Sequence, residues 1–184
     1  MDRANLGIFK KLSDAYESNK SNNINLDAFT PELADMLNHL GWIYHNKAKE
    51  EDPLHLDMVF MNQAKEWFDK SKLEYERLDR MNDNIFLPKK AYCYINLSYY
   101  YYSLHYAEPL NETKRTGLEY ANKAIADLDK YFDYHKKISK GAYKDFEAEQ
   151  YMSYAKEIKA AFEKFSVTKK TVPKIITYNI YYPK

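Results

Sequence analysis

Two stretches of this chain place small and aromatic residues at matching positions, and that pattern limits the fold more than any other feature. The first runs from Leu37 to Ser71 and the second, looser one from Tyr94 to Ala124. Each opens with a small residue followed three positions later by an aromatic one, Gly41 with Tyr44 and Ser98 with Tyr101. Each closes on a run spaced by four and then three residues: Ala64, Phe68 and Ser71 in the first, Gly117, Ala121 and Ala124 in the second. Recurrence at three and four residues belongs to one face of a helix. A small residue at that face lets a paired helix approach closely, and an aromatic side chain further along fills the seam.

The rest of the composition agrees with long helices. The 184 residues hold only 4 Gly and 6 Pro, so the chain has few places to break. There are 19 Tyr, 9 Phe and 2 Trp, large side chains suited to filling seams between helices. A formal net charge of +1 argues against a general nucleic-acid or membrane-surface binder. The charge is uneven: residues 164–184 hold five of the 28 basic residues and no acid, which leaves the remaining 163 residues at −4. The single cysteine, Cys93, excludes an internal disulfide and a cysteine-based zinc site. The opening MDRANLGIFKKL lacks a secretory pattern, and no apolar run approaches the roughly 18 residues of a membrane span, so the expected compartment is the cytoplasm.

Read in order, Leu6, Phe9, Leu12 and Tyr16 predict a first helix over Ala4 to Glu17. Thr30-Pro31-Glu32 is a helix start, with a capping residue, a proline at the first turn and an acid near the positive end. That helix is expected to reach about Lys49. Asp52 is the expected cap of the next, from about Pro53 to Arg80, with Val59, Met61, Ala64, Phe68, Leu73 and Leu78 inward and a break near Leu54–Met58. Pro88 opens a helix to about Tyr106, including the four consecutive tyrosines at 99–102, some of which must face away from the local core. Asn111 is the expected cap of a helix to about Lys137. A last helix is expected from Ala142 to Phe165, burying Phe146, Tyr151, Tyr154, Ile158, Ala161 and Phe165. The tail is different in kind. Val172-Pro173 stops helices, and strand-like alternation from Ile175 puts Ile176, Tyr178, Ile180 and Tyr182 on one face.

The two matched stretches resemble the tetratricopeptide repeat (TPR) family, whose first helix carries Trp-x-x-Leu-Gly-x-x-Tyr and whose second opens on Ala followed by an aromatic. Leu37, Leu40, Gly41 and Tyr44 take the first-helix places, with Leu where Trp is usual, and Tyr94, Leu97, Ser98 and Tyr101 do so in the second copy. The unit is lengthened. Gly41 to Ala64 is 23 residues and Ser98 to Gly117 is 19, against about twelve in the family's unit. The resemblance implies an all-α fold of antiparallel helical hairpins, stacked as a short TPR-like α-solenoid of about six helices. It would occupy residues 1–166 and be followed by an extended basic and aromatic tail over 167–184.

The resemblance also implies use. TPR first helices line a concave groove that holds a partner segment. Carried over, the groove residues are Asn38, Trp42, His45 and Asn46 in the first copy and Tyr92, Asn96, Tyr99 and Tyr102 in the second. Asn can bond both groups of a peptide backbone, and Trp and Tyr give contact area at low entropic cost. The Lys and Arg with which chaperone-binding members clamp a terminal carboxylate are missing from this set. The expectation is a non-enzymatic adaptor binding a protein or peptide segment, with no cofactor, metal or membrane. The alternatives are a helical-repeat nucleic-acid binder and a homo-oligomer, such as a homodimer, assembled through the tail.

Catalytic readings find little support. The five histidines form no metal-binding pair, and capping explains Asp52, His55 and Asp57. Cys93 reads as an inert buried thiol. Glu74 with Glu76, and Asp127 with Asp129, are two apart on helices, so they read as solvated faces. No phosphate loop or nucleophile elbow is present.

Overall fold

The structure, a computed structural model, describes residues 30–49, 55–79, 84–139 and 144–165, together with residues 11, 14 and 18. The described residues are all-α, with five α-helices: α1 (Thr30–Ala48), α2 (Met58–Asp79), α3 (Leu87–Ala107), α4 (Asn111–Ile138) and α5 (Phe146–Lys164). A 3₁₀ turn, Asn84–Phe86, leads into α3. The expected helix over Ala4 to Glu17, the strand-like tail and its contact residues Ile176, Tyr178, Ile180 and Tyr182 lie outside the description, apart from the three isolated residues. Among the described residues no helix is long and apolar enough to cross a membrane.

The helix ends follow local chemistry. Asp57, rather than Asp52, begins α2: its carboxylate accepts from the backbone N–H groups of Val59 and Phe60, at 2.9 and 3.3 Å. Its own N–H donates to the Ala48 carbonyl at 3.0 Å, so one residue closes α1 and opens α2. Pro88 sits in the first turn of α3, where a missing N–H costs nothing. Asn111 does not cap α4. The cap position is Leu110, which has no side-chain cap, and its carbonyl accepts from Thr113 Oγ1 at 2.8 Å. Asp145 caps α5 through the Ala148 N–H at 3.0 Å, so α5 begins four residues later than expected.

Packing is antiparallel between neighbours in sequence and parallel between alternate helices. In the first hairpin Gly41 of α1 faces Phe68 of α2, and Ser71 Oγ donates to the Ala34 carbonyl at 2.7 Å. In the second, Ser98 Oγ of α3 donates to the Gly117 carbonyl of α4 at 2.8 Å. Gly117 itself lies under Phe162 of α5, so the glycine that stands where the repeat has Ala makes room for an incoming ring. Helices α1, α3 and α5 run in the same direction. Asn38 meets Asn96 and His45 meets Ser103 across α1 and α3, and Lys89 meets Glu147 across α3 and α5, each pair 58 residues apart. Helix α2 packs on α1 and α3, and α4 packs on α3 and α5. The described helices thus form a row of three with two behind it.

Several expected inward positions point elsewhere. Leu73 is 60% exposed, Val59 67% and Phe146 76%. Phe146 is the first residue of α5. Glu74 is not solvated; it is buried and accepts from Arg77 Nε at 3.1 Å. Asp127 is half-buried and paired with buried Lys90 at 3.1 Å. All four tyrosines from 99 to 102 are helical. Tyr100 and Tyr102 are buried, while Tyr99 and Tyr101 are half-buried.

Candidate functional site

The row α1–α3–α5 carries most of the polar and aromatic side chains singled out from sequence, and the structure divides them sharply. Asn38, Trp42, His45, Asn96 and Tyr102 are buried. Tyr92 and Tyr99 are half-buried, and only Asn46 is exposed. The expectation that all eight line an open groove is therefore corrected. Parallel helices set side by side bury the side chains that face along the row, and five of the eight face along it.

Four of the buried ones, Asn38, Trp42, His45 and Asn96, make the seam between α1 and α3, while Tyr102 packs against α5. Asn96 Nδ2 donates to Asn38 Oδ1 at 3.1 Å, which leaves Asn38 Nδ2 and Asn96 Oδ1 buried without a hydrogen-bond partner among the described residues. His45 Nε2 lies 2.9 Å from Ser103 Oγ. The Ser103 hydroxyl donates to the Tyr99 carbonyl at 3.2 Å, so its oxygen accepts from His45 Nε2–H. The ring is then the Nε2–H tautomer, and its unprotonated Nδ1 has no hydrogen-bond partner among the described residues. Burial holds His45 neutral by pushing its pKa well below the ordinary value, and nearby Lys49 pushes the same way.

Around His45 stand Trp42 (ring centroids 5.8 Å apart), Tyr99 (5.2 Å), Tyr100 (5.9 Å) and Phe68 (6.5 Å). Lys49, just past the end of α1, extends over this group. Its Nζ is 4.4 Å from the Tyr99 ring centroid and 5.3 Å from that of Trp42. Burial lowers its pKa to about 8.

Further along the row, Lys89 of α3 reaches Asp35 of α1 at 3.7 Å and Glu147 of α5 at 3.0 Å, clipping three helices together. Asp35 also accepts from Tyr75 of α2. Tyr92 stacks on Tyr151, with centroids 4.7 Å apart and planes at 16°, and burial pushes its hydroxyl pKa up to about 12. Tyr102 meets Phe162 edge-on at 5.0 Å. Sequence reading missed Ser103, Asp35, Lys89, Glu147 and Lys49. Only Lys49 left a signal, since it is seven residues after Trp42 and four after His45, on the same side of the helix.

Among the described residues no group of three His, Cys, Asp or Glu side chains could hold a metal ion. Cys93 is buried and its thiol pKa is pushed up to about 12, first of all by burial, so the reactive thiolate is disfavoured. No family model, curated protein or solved structure matches the chain.

Proposed function

We propose that the chain is a non-enzymatic interaction module of the TPR-like kind, a short helical solenoid that binds a segment of a partner protein along the α1–α3–α5 row. One observation supports this reading above the others. Three hydrogen bonds, two between α1 and α3 and one between α3 and α5, share one offset, 58 residues, as expected of stacked copies of one hairpin unit. A row of equivalent helices presents a continuous face, and continuous faces of this sort take extended or helical segments. The accessible parts of that face are Asn46 and the half-buried Tyr92, Tyr99 and Lys49. The Asn38–Asn96 and His45–Ser103 bonds fix the spacing of the helices that carry it.

The test is site-specific photo-crosslinking of the whole chain in its native lysate. A photoreactive residue at Asn46 reports on the row, and one at exposed Glu119 of α4 reports on the opposite layer. The expected result is one dominant protein adduct from position 46 and none from position 119. Adducts from 119 alone, or the same set from both, would refute binding along the row. Recovery of nucleic acid in place of protein would favour the helical-repeat nucleic-acid reading. A self-adduct would favour the homo-oligomer.

A further inference from the structure

Helix α1 opens the row, and part of it is buried beyond what its described neighbours account for. Ile43 is 5% exposed, yet it belongs to none of the apolar clusters that the described residues form. Leu37 is fully buried, and its cluster among those residues holds just Leu33, Met36 and Trp67. The second hairpin shows what belongs on this side. Gly41 with Ser98, and Tyr44 with Tyr101, set the two units 57 residues apart. On α3, the side that meets α2 carries Cys93, Tyr94 and Tyr100. Cys93 Sγ donates to the Phe68 carbonyl at 3.8 Å, the Tyr94 hydroxyl donates to Glu76 at 3.4 Å, and the Tyr100 ring meets Phe68 at 6.5 Å. The residues 57 places earlier are Met36, Leu37 and Ile43. The positions on α1 equivalent to the α2 contacts are thus the ones whose burial calls for a further helix.

We infer that the segment Ala4 to Glu17 is that helix, docked on the α1–α2 hairpin through Leu6, Phe9, Leu12 and Tyr16. This rests on the stacked-hairpin reading above and names the occupant of the first unit's open side. Lys11, Asp14 and Ser18 belong to the described residues, and all three are helical and exposed. At about 3.6 residues per turn they fall on one side of a helix, and the four apolar residues fall on the other. The side turned to water is the polar one, so the apolar stripe is turned to the fold. The link is long enough. Residues 19–29 can span about 36 Å when extended, against roughly 8–10 Å between the axes of packed helices. The link between α2 and α3, residues 80–86, is shorter and suffices for the equivalent step. A stacked array needs its end units closed with a polar outer face, because an open apolar side recruits further copies. Lys11 and Asp14 supply such a face.

The test places photoreactive benzoylphenylalanine at Phe9 of the whole chain and maps the adducts by peptide mass spectrometry. An isotope-labelled copy mixed in separates adducts within a chain from adducts between chains. A second protein carries the same group at exposed Lys11. Position 9 is expected to give adducts within the chain to α1 or α2, and position 11 none. Leu12→Asp should abolish the position-9 adducts and Leu12→Met should retain them. No adduct from position 9, adducts to α4 or α5, adducts between chains, or equal adducts from positions 9 and 11 would each overturn the docking. Partner binding along the row is reported separately by position 46, so the two readings fail independently.

Discussion

Gly41 offers the sharpest test of how the first hairpin is built. A Cβ added there would lie 2.4, 2.6 and 2.8 Å from Cδ1, Cε1 and Cγ of Phe68. Ordinary contact begins near 3.4 Å, so the ring must retreat by about 1 Å. It has nowhere easy to go. Phe68 is fully buried, with His45 and Tyr100 both meeting it at centroid distances of 6.5 Å, and the clash reaches the base of the ring rather than a flexible tip. Overpacking of this kind costs about 1–3 kcal/mol. Against it stands the gain of about 1 kcal/mol when Ala replaces Gly inside a helix. With the overlap this deep the clash wins, and Gly41→Ala should destabilise the fold by about 1–2 kcal/mol. For a chain of this size that lowers Tm by roughly 2–8 °C. Urea unfolding followed by far-UV circular dichroism measures it directly. The double variant Gly41→Ala/Phe68→Leu should recover about 1 kcal/mol relative to the sum of the singles, because the smaller side chain makes room for the methyl group. A Gly41→Ala protein more stable than the parent would mean that propensity alone acts at this position and that the close approach is not there.

Two further predictions concern the α1–α3 seam. Acid should destabilise the protein through buried His45. The unfolded chain binds a proton at the ordinary value near 6.5 and the folded chain resists it, so stability is complete above that pH and falls as pH drops below it. His39 and His105 are shifted the same way, so His45→Gln should flatten the loss without abolishing it; an unchanged slope would refute the role given to His45. Replacing either Asn38 or Asn96 by Leu strands the other amide and should cost about 1–3 kcal/mol. The double Leu variant should cost less than the two singles together, and strict additivity in urea unfolding would show that the pair is not coupled.

A good part of this architecture was legible in the residues alone. Scarce glycine and proline, and apolar residues at three and four spacing, require helices, and five are found among the described residues. The small residue at Gly41 and the aromatic at Phe68 predict a close hairpin seam, and the two meet there. Pro88 marked the start of α3 correctly because its effect is local, requiring only its own fixed φ and missing N–H.

Tertiary structure decided the rest. Helical spacing says which residues share a face, but not what covers that face. Trp42, Asn38 and Asn96 read as groove residues until a second helix is laid parallel to the first, and then they become its seam. Leu73 and Phe146 fit the apolar pattern yet are exposed, since no helix among the described residues covers them. Glu74 and Asp127, which sequence reads as solvated, are drawn inward beside Arg77 and Lys90. Lys49 gained its setting from Tyr99, fifty residues away on another helix. Local sequence fixes which backbone conformation is cheapest. Burial, and with it the charge state of His45 and Lys49, depends on residues far apart in the chain, and only the packed fold brings them together.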